Sequence, residues 1–236
     1  GSEMCIRDSF HYGFDGFVCS AGGYVGCDGK ILVDIPMEPE QVSGLRAALE
    51  RAGAECTLEV RDETYGGIKM IERFANLFPK TPGKVNSEAE RWRKMMEFGM
   101  TICPIEKYHG EPVYKIVFIA PNEECLTEVK RQYESQFVFC ESRLGDEGGG
   151  IVNGELINRK FDKGTGIKAI CSFLGCSLAD TIGFGDSDND LQMTDVVGIS
   201  VCMANGSDNL KKRCDRICPA VSEDGVAKEF AELGLI

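Results

Sequence analysis

Thr181-Ile-Gly-Phe-Gly-Asp-Ser-Asp-Asn-Asp190 is the stretch on which the reading of this chain turns. Thr181 to Phe184 has the β-branched and aromatic character of a short buried strand, and Gly185 releases that strand into a loop. The loop holds the carboxylates of Asp186, Asp188 and Asp190, the Ser187 hydroxyl and the Asn189 carboxamide. Carboxylates this close repel one another unless a metal ion or a lysine sits among them, and Mg2+ takes a few carboxylates together with water and substrate phosphate. A solvated acidic turn is the plainer reading of the loop by itself, since Asp, Asn, Ser and Gly are ordinary turn residues.

The surroundings favour the cation site. Upstream, Phe161-Asp-Lys-Gly-Thr-Gly166 puts Lys163 ahead of a helical pattern in which Ile167, Ile170, Phe173 and Leu174 share a face. Downstream, a second strand in Gly198-Ile-Ser-Val-Cys-Met203 runs into Ala204-Asn205-Gly206, and Ser222-Glu-Asp-Gly-Val226 follows. Lysine-glycine, helix, strand, acidic loop, a strand ending in Met-Ala-Asn-Gly and a terminal Glu-Asp-Gly-Val together resemble the C-terminal half of a haloacid dehalogenase superfamily phosphatase of the Cof type. The resemblance spans roughly residues 152–230. It implies an α/β fold with a doubly wound, Rossmann-like core and an inserted α/β cap of subclass IIB. It also implies a Mg2+-dependent phosphatase of small phosphorylated metabolites, sugar phosphates among them, working through an aspartyl-phosphate.

Residue by residue, the resemblance gives Asp186 the place of a direct Mg2+ ligand and Asn189 that of a phosphate- or substrate-contacting carboxamide. Asp190 orients metal-bound water or pairs with Lys163, whose ammonium stabilises phosphoryl oxygens. Asn205 is a weaker carry-over, as a loop anchor. The family's nucleophile and acid/base aspartates belong to an Asp-x-Asp-x-Thr/Val motif ending the first core strand, and a Ser/Thr motif ends the second. Neither motif is in this sequence, and Asp15 and Asp28 stand alone in other contexts. The family's Asn-Gly-Ala turn reads Ala21-Gly22-Gly23 here, without the carboxamide. Ser20 is a weak phosphate-binding candidate, because the family's Ser or Thr lies on the preceding strand. The expected core therefore lacks its first two strands. In a strand order of 3-2-1-4-5 these lie between Phe14–Cys19 and Thr181–Phe184, so their loss exposes two strand edges. A chain so built is expected to be inactive as written, marginally folded and prone to self-association.

In chain order, residues 1–9 read as a non-native leader, residues 10–37 and 158–236 as the partial core, and residues 38–157 as the cap. Cys27-Asp-Gly-Lys30 signals a hairpin between Tyr24-Val25 and Ile31-Leu-Val33. Gln41 to Ala52 is helical, with Val42, Leu45, Ala48 and Leu49 on one face, and Cys56 to Val60 alternates as a strand. Ile68 to Phe78, Ser87 to Met96 and Asn122 to Tyr133 are expected helices; Val113 to Ile119 and Phe137 to Cys140 are expected strands. Tyr65, Trp92, His109 and the loop Gly145–Gly150 are better read as packing and surface than as substrate contacts, and Arg91, Arg93 and Lys94 as an exposed helix face.

Composition narrows the classes. A formal net charge of -12 argues against nucleic acid or an anionic membrane surface as the main partner. No apolar run is long enough for a membrane span. The 12 cysteines form no framework. Cys19, Cys140, Cys171 and Cys202 sit in apolar patterns as small hydrophobes, and Cys171/Cys176 and Cys214/Cys218 lack the spacing and histidines of a zinc site. So many thiols suit a reducing cytoplasm. Two other readings of the motifs stay open: a non-catalytic module that binds Mg2+ and phosphate-bearing ligands through Lys163 and Asp186, and a phosphomutase sharing the same loop.

Overall fold

The structure, a computed structural model, describes residues 13–67, 102–144 and 151–236. The expected helices 68–78 and 87–96, with Arg91, Trp92, Arg93 and Lys94, lie outside those residues, as do the leader and the glycine loop 145–150. Contacts divide the chain into two units. One runs from Ile35 to Lys160; the other joins Phe14–Asp34 to Phe161–Ile236. The expected boundaries were 37/38 and 157/158, and the division by contact falls three residues from each.

The second unit begins with a meander of β1 (Gly16–Cys19), β2 (Tyr24–Cys27) and β3 (Lys30–Asp34), all antiparallel. Asp28 and Gly29 both take positive φ, 50° and 71°, the backbone of the type I′ turn that the twist of a hairpin favours. After Phe161, α3 (Lys163–Leu174) packs on this meander and on the short α4 (Leu191–Thr194). Two glycines permit that approach. A Cβ on Gly166 would lie 2.5 Å from a Val18 methyl, and one on Gly164 would lie 2.6 Å from the Gln192 carbonyl.

The helix face expected from Ile167, Ile170, Phe173 and Leu174 is not the buried one. Leu174 is 53% exposed, and Gly164, Gly166 and Cys171 are the buried residues. Apolar periodicity misses this because the close approach is made by residues without side chains. Phe173 instead lies beneath the Lys30 ammonium, 5.1 Å from its ring centre.

Three parallel strands follow: β10 (Ile182–Gly185), β11 (Ile199–Met203) and β12 (Arg216–Cys218), paired in that order. Val201, Met203 and Cys218 are buried, and half-buried Phe184 packs against them and meets Phe230 edge to face at 5.3 Å. Phe230 belongs to α6 (Gly225–Glu232), and α5 (Asp208–Arg213) connects β11 to β12. The meander and the parallel sheet share no strand pairing, so β1 and β10 each have one edge unpaired among the described residues.

The other unit carries a six-stranded sheet in the order β6 (Ile102–Pro104), β5 (Thr64–Gly66), β4 (Glu55–Val60), β7 (Val113–Ala120), β9 (Ile151–Asn158), β8 (Phe137–Leu144). Helix α1 (Pro39–Arg51) packs on β4 and on α2 (Thr127–Tyr133). Its buried residues are Val42, Leu45, Ala48 and Leu49, the stripe read from the sequence. Leu45 and Leu49 are fully buried, and each such side chain contributes roughly 1.5–3 kcal/mol by leaving water. The helix expected from Asn122 starts later. Asn122 Oδ1 accepts the Cys125 N–H at 2.9 Å, holding an Asx turn, and a 3-10 turn over Glu124–Leu126 precedes α2.

Candidate functional site

The site is built where the N-terminus of α3 meets the loop after β10. Asp162 caps α3 by accepting the Thr165 N–H at 2.7 Å, while Thr165 Oγ1 accepts the Asp162 N–H at 2.9 Å. This reciprocal box fixes the first helical residue, Lys163. Its ammonium reaches Asp190 Oδ1 at 2.5 Å and Asn189 Oδ1 at 3.1 Å. Asp190 is only 7% exposed, and its other oxygen accepts the Asp186 N–H at 3.0 Å and the Ser187 N–H at 3.3 Å. One buried carboxylate thus ties the lysine to the backbone of the loop.

The three carboxylates do not converge on one point. Asp190 is turned to Lys163, and Asp188 is turned to α5, where it accepts from Ser207 Oγ and, at 3.0 Å, from Asn209 Nδ2. Those hydrogen bonds, the one from Ser207 first, hold the Asp188 carboxyl below its ordinary pKa. Asp186 is exposed and its carboxylate makes no hydrogen bond or ion pair among the described residues. Among those residues no three histidine, cysteine or acidic side chains form a ready metal cluster. The loop therefore separates its charges by turning Asp190 and Asp188 to different partners and leaving Asp186 open, rather than by gathering all three around one ion.

What remains open is a small set of groups. Lys163 has three N–H donors and two acceptors, which leaves one donor for a ligand. Asn189 Oδ1 accepts from Lys163 and, at 2.7 Å, from Ser187 Oγ, so its amide nitrogen faces no acceptor among the described residues. The Asp186 carboxylate is the third. As a donor set for Mg2+ this chain supplies one open carboxylate, and Mg2+ commonly takes one or two together with water and phosphate. Asp186 fits that role.

The remaining sequence candidates stand outside this set. Asn205 Oδ1 accepts the Val221 N–H at 3.2 Å, holding the loop after β11 against the turn that leads to α6. Ser20 lies in the 3-10 turn after β1, where Ser20 and Ala21 both take positive φ, 48° and 57°. That turn touches the α3 cap, since a Cβ on Gly22 would lie 2.2 Å from the Asp162 carbonyl. In the other unit Tyr65 is buried and donates to Glu63 at 2.5 Å, and His109 is exposed with its N–H on Glu111 at 2.8 Å. The sequence reading missed Ser207 and Asn209, and it named the Ser187 hydroxyl without its bond to Asn189. A signal existed for Ser207: it caps α5, accepting the Leu210 N–H at 3.2 Å, and Ser-Asp-Asn-Leu has the pattern of a helix start.

Comparison with known proteins adds the wider frame. A family model described as haloacid dehalogenase-like hydrolase matches residues 6–230. YkrA of Bacillus subtilis is 43% identical over 129 residues, 55% of this chain and 46% of that protein. A phosphoglycolate phosphatase of Haloarcula marismortui is 41% identical over 70 residues, 30% of this chain and 31% of that protein. The chain thus spans less than half the length of these curated relatives. Among solved structures, the subclass IIB sugar phosphatase BT4131 superimposes with a TM-score of 0.71 at 18% identity, covering 98% of this chain and 80% of its own. That likeness is one of fold.

Proposed function

We propose, because the chain belongs to the haloacid dehalogenase-like hydrolases, that it is the phosphate-handling part of a Mg2+-dependent phosphatase of small phosphorylated metabolites. The observation that carries this reading is the open set around Asp190: an ammonium donor of Lys163, the amide of Asn189 and the carboxylate of Asp186. Two donors and one anionic oxygen suit a phosphate monoester that arrives with a cation. Lys163 is held by Asp190 without being fully consumed, so its charge is positioned before the ligand binds and needs no reorganisation. Asn189 is oriented by Ser187 and Lys163 on its oxygen, which turns its donor side toward a phosphoryl oxygen. Mg2+, held through Asp186, supplies neutralisation of phosphoryl charge when bound.

Hydrolysis through an aspartyl-phosphate also needs a nucleophilic aspartate and a second aspartate as acid/base. By family resemblance both belong to an Asp-x-Asp-x-Thr/Val motif, which this sequence does not contain. No described helix is long and apolar enough to cross a membrane, and a cytoplasmic setting is part of the proposal. The substrate is proposed only as a class, because the named relatives act on different phosphate esters.

The test is hydrolysis of an aryl phosphate with Mg2+, comparing this chain with a version extended by a segment that carries the Asp-x-Asp-x-Thr/Val motif. The extended form is expected to be active, and Asp186→Ala or Lys163→Met to lower its rate by about 100-fold or more. The chain alone is expected to show no turnover. Hydrolysis by the chain alone, lost in Asp186→Ala, places the nucleophile elsewhere. Activity in neither form favours a module that binds Mg2+ and phosphate without catalysis.

A further inference from the structure

We propose that Cys171 and Cys176 are a redox-responsive thiol pair, which a low-molecular-weight disulfide such as oxidised glutathione converts into an intramolecular disulfide across the C-terminus of α3. The geometry comes from how the helix stops. Gly175 takes φ 71°, and the next residue, Cys176, donates its backbone N–H to the Cys171 carbonyl at 3.1 Å. This is the hydrogen bond of a Schellman ending, and it brings the two Cα atoms toward the span of roughly 4.4–6.8 Å that a disulfide requires. The Cys176 side chain folds back the same way, with Sγ 3.8 Å from the Cys171 carbonyl. The exposed thiol is thus held over the backbone of Cys171.

Exposure divides the work between them. Among the described cysteines Cys176 alone is exposed, whereas Cys171 is 5% exposed. Burial raises the Cys171 pKa, with its Cys176 neighbour adding to the rise, so the first attack on an oxidant belongs to Cys176. Burial also pushes Cys56 and Cys202 up to about 11, which keeps those thiols protonated.

In the first step the Cys176 thiolate attacks one sulfur of oxidised glutathione, the S–S bond breaks and a glutathione thiolate leaves. In the second, the Cys171 sulfur attacks Cys176 Sγ and the second glutathione leaves, taking the Cys171 proton. One glutathione disulfide becomes two glutathione thiols, and two protein thiols become one disulfide. The second step is intramolecular and needs no free Cys171 thiolate in bulk water. The bridge staples the connection between the helix that starts at Lys163 and the strand that ends at Gly185, the two elements carrying the open set of groups.

The experiment treats the whole chain, folded, with oxidised glutathione, alkylates the remaining thiols and maps peptides without reduction. The expected product is a peptide containing Cys171 and Cys176 lighter by two hydrogens, restored by dithiothreitol. In Cys171→Ser the glutathione is expected to stay on Cys176, at roughly tenfold or greater occupancy than in the unsubstituted chain. In Cys176→Ser, Cys171 is expected to remain a thiol. Equal glutathione occupancy on Cys176 with and without Cys171 overturns the proposal, as does alkylation of both thiols after oxidation or pairing of Cys176 with another cysteine. Should Cys171→Ser fail to fold, the map of the unsubstituted chain and of Cys176→Ser decides the question.

Discussion

At the scale of single residues the site rests on Asp190. Its burial would be costly without partners, and it has three: the Lys163 ammonium and the N–H groups of Asp186 and Ser187. Replacing Lys163 by Met leaves that carboxylate with backbone donors only. Removing one member of a fully buried pair costs about 3–5 kcal/mol, and the 29% exposure of the Lys163 side chain reduces the expected loss to about 2 kcal/mol. Urea unfolding of Lys163→Met, Asp190→Asn and the double variant measures it, and additive losses would mean that the pair contributes nothing of its own. Asp188 gives a pH prediction. Its folded pKa lies below the ordinary value of 3.8, so its contribution to stability is full above that value and is lost as pH falls through the lower folded one. Ser207→Ala removes the first cause of that shift. Its unfolding midpoint should therefore depend less on pH below about 4 than the unsubstituted chain's does; an unchanged acid limb would show that Ser207 has no such role.

At the scale of elements, what the sequence revealed depended on which residues made the contact. Helix α1 was legible because its buried stripe, Val42, Leu45, Ala48 and Leu49, is made of side chains at helical spacing. The β2–β3 hairpin was legible because Asp28-Gly29 names its turn. The buried face of α3 was not, since Gly164 and Gly166 make the approach, and an apolar stripe cannot be read from hydrogen atoms. In the acidic loop, the residues at hand were visible as Asp186, Asn189 and Asp190, but the division of its charges was not. That division depends on Ser207 and Asn209, which a fold must bring across from α5. Gly166→Ala tests the reading of α3. A methyl placed 2.5 Å from Val18 must displace β1 or the helix, and overpacking of this kind costs about 1–3 kcal/mol despite the better helix propensity of alanine. A gain in thermal stability would show that the approach is slack.

At the scale of the molecule the two units are unequally built. In one, a single buried cluster runs from Met37 through Leu45, Leu58, Ile116 and Phe118 to Leu156, and β4, β7 and β9 each have a partner on both sides. In the other, the meander and the parallel sheet share no pairing, so among the described residues their outer strands β1, β3, β10 and β12 are each paired on one side only. Unpaired edges of apolar strands invite pairing with another chain, and local opening costs least where few strand contacts must break. Amide hydrogen exchange should therefore be slow in β4, β7 and β9 and faster in β1 and β10 at low protein concentration. If self-association proceeds through the edges, protection of β1 and β10 should rise with concentration while that of β7 stays constant, and light scattering should report a growing mass over the same range. Uniform protection in both units, with a mass that stays monomeric on concentration and a single cooperative melt, would mean that the edges are already satisfied within one chain. The expectation of two exposed strand edges would then be wrong.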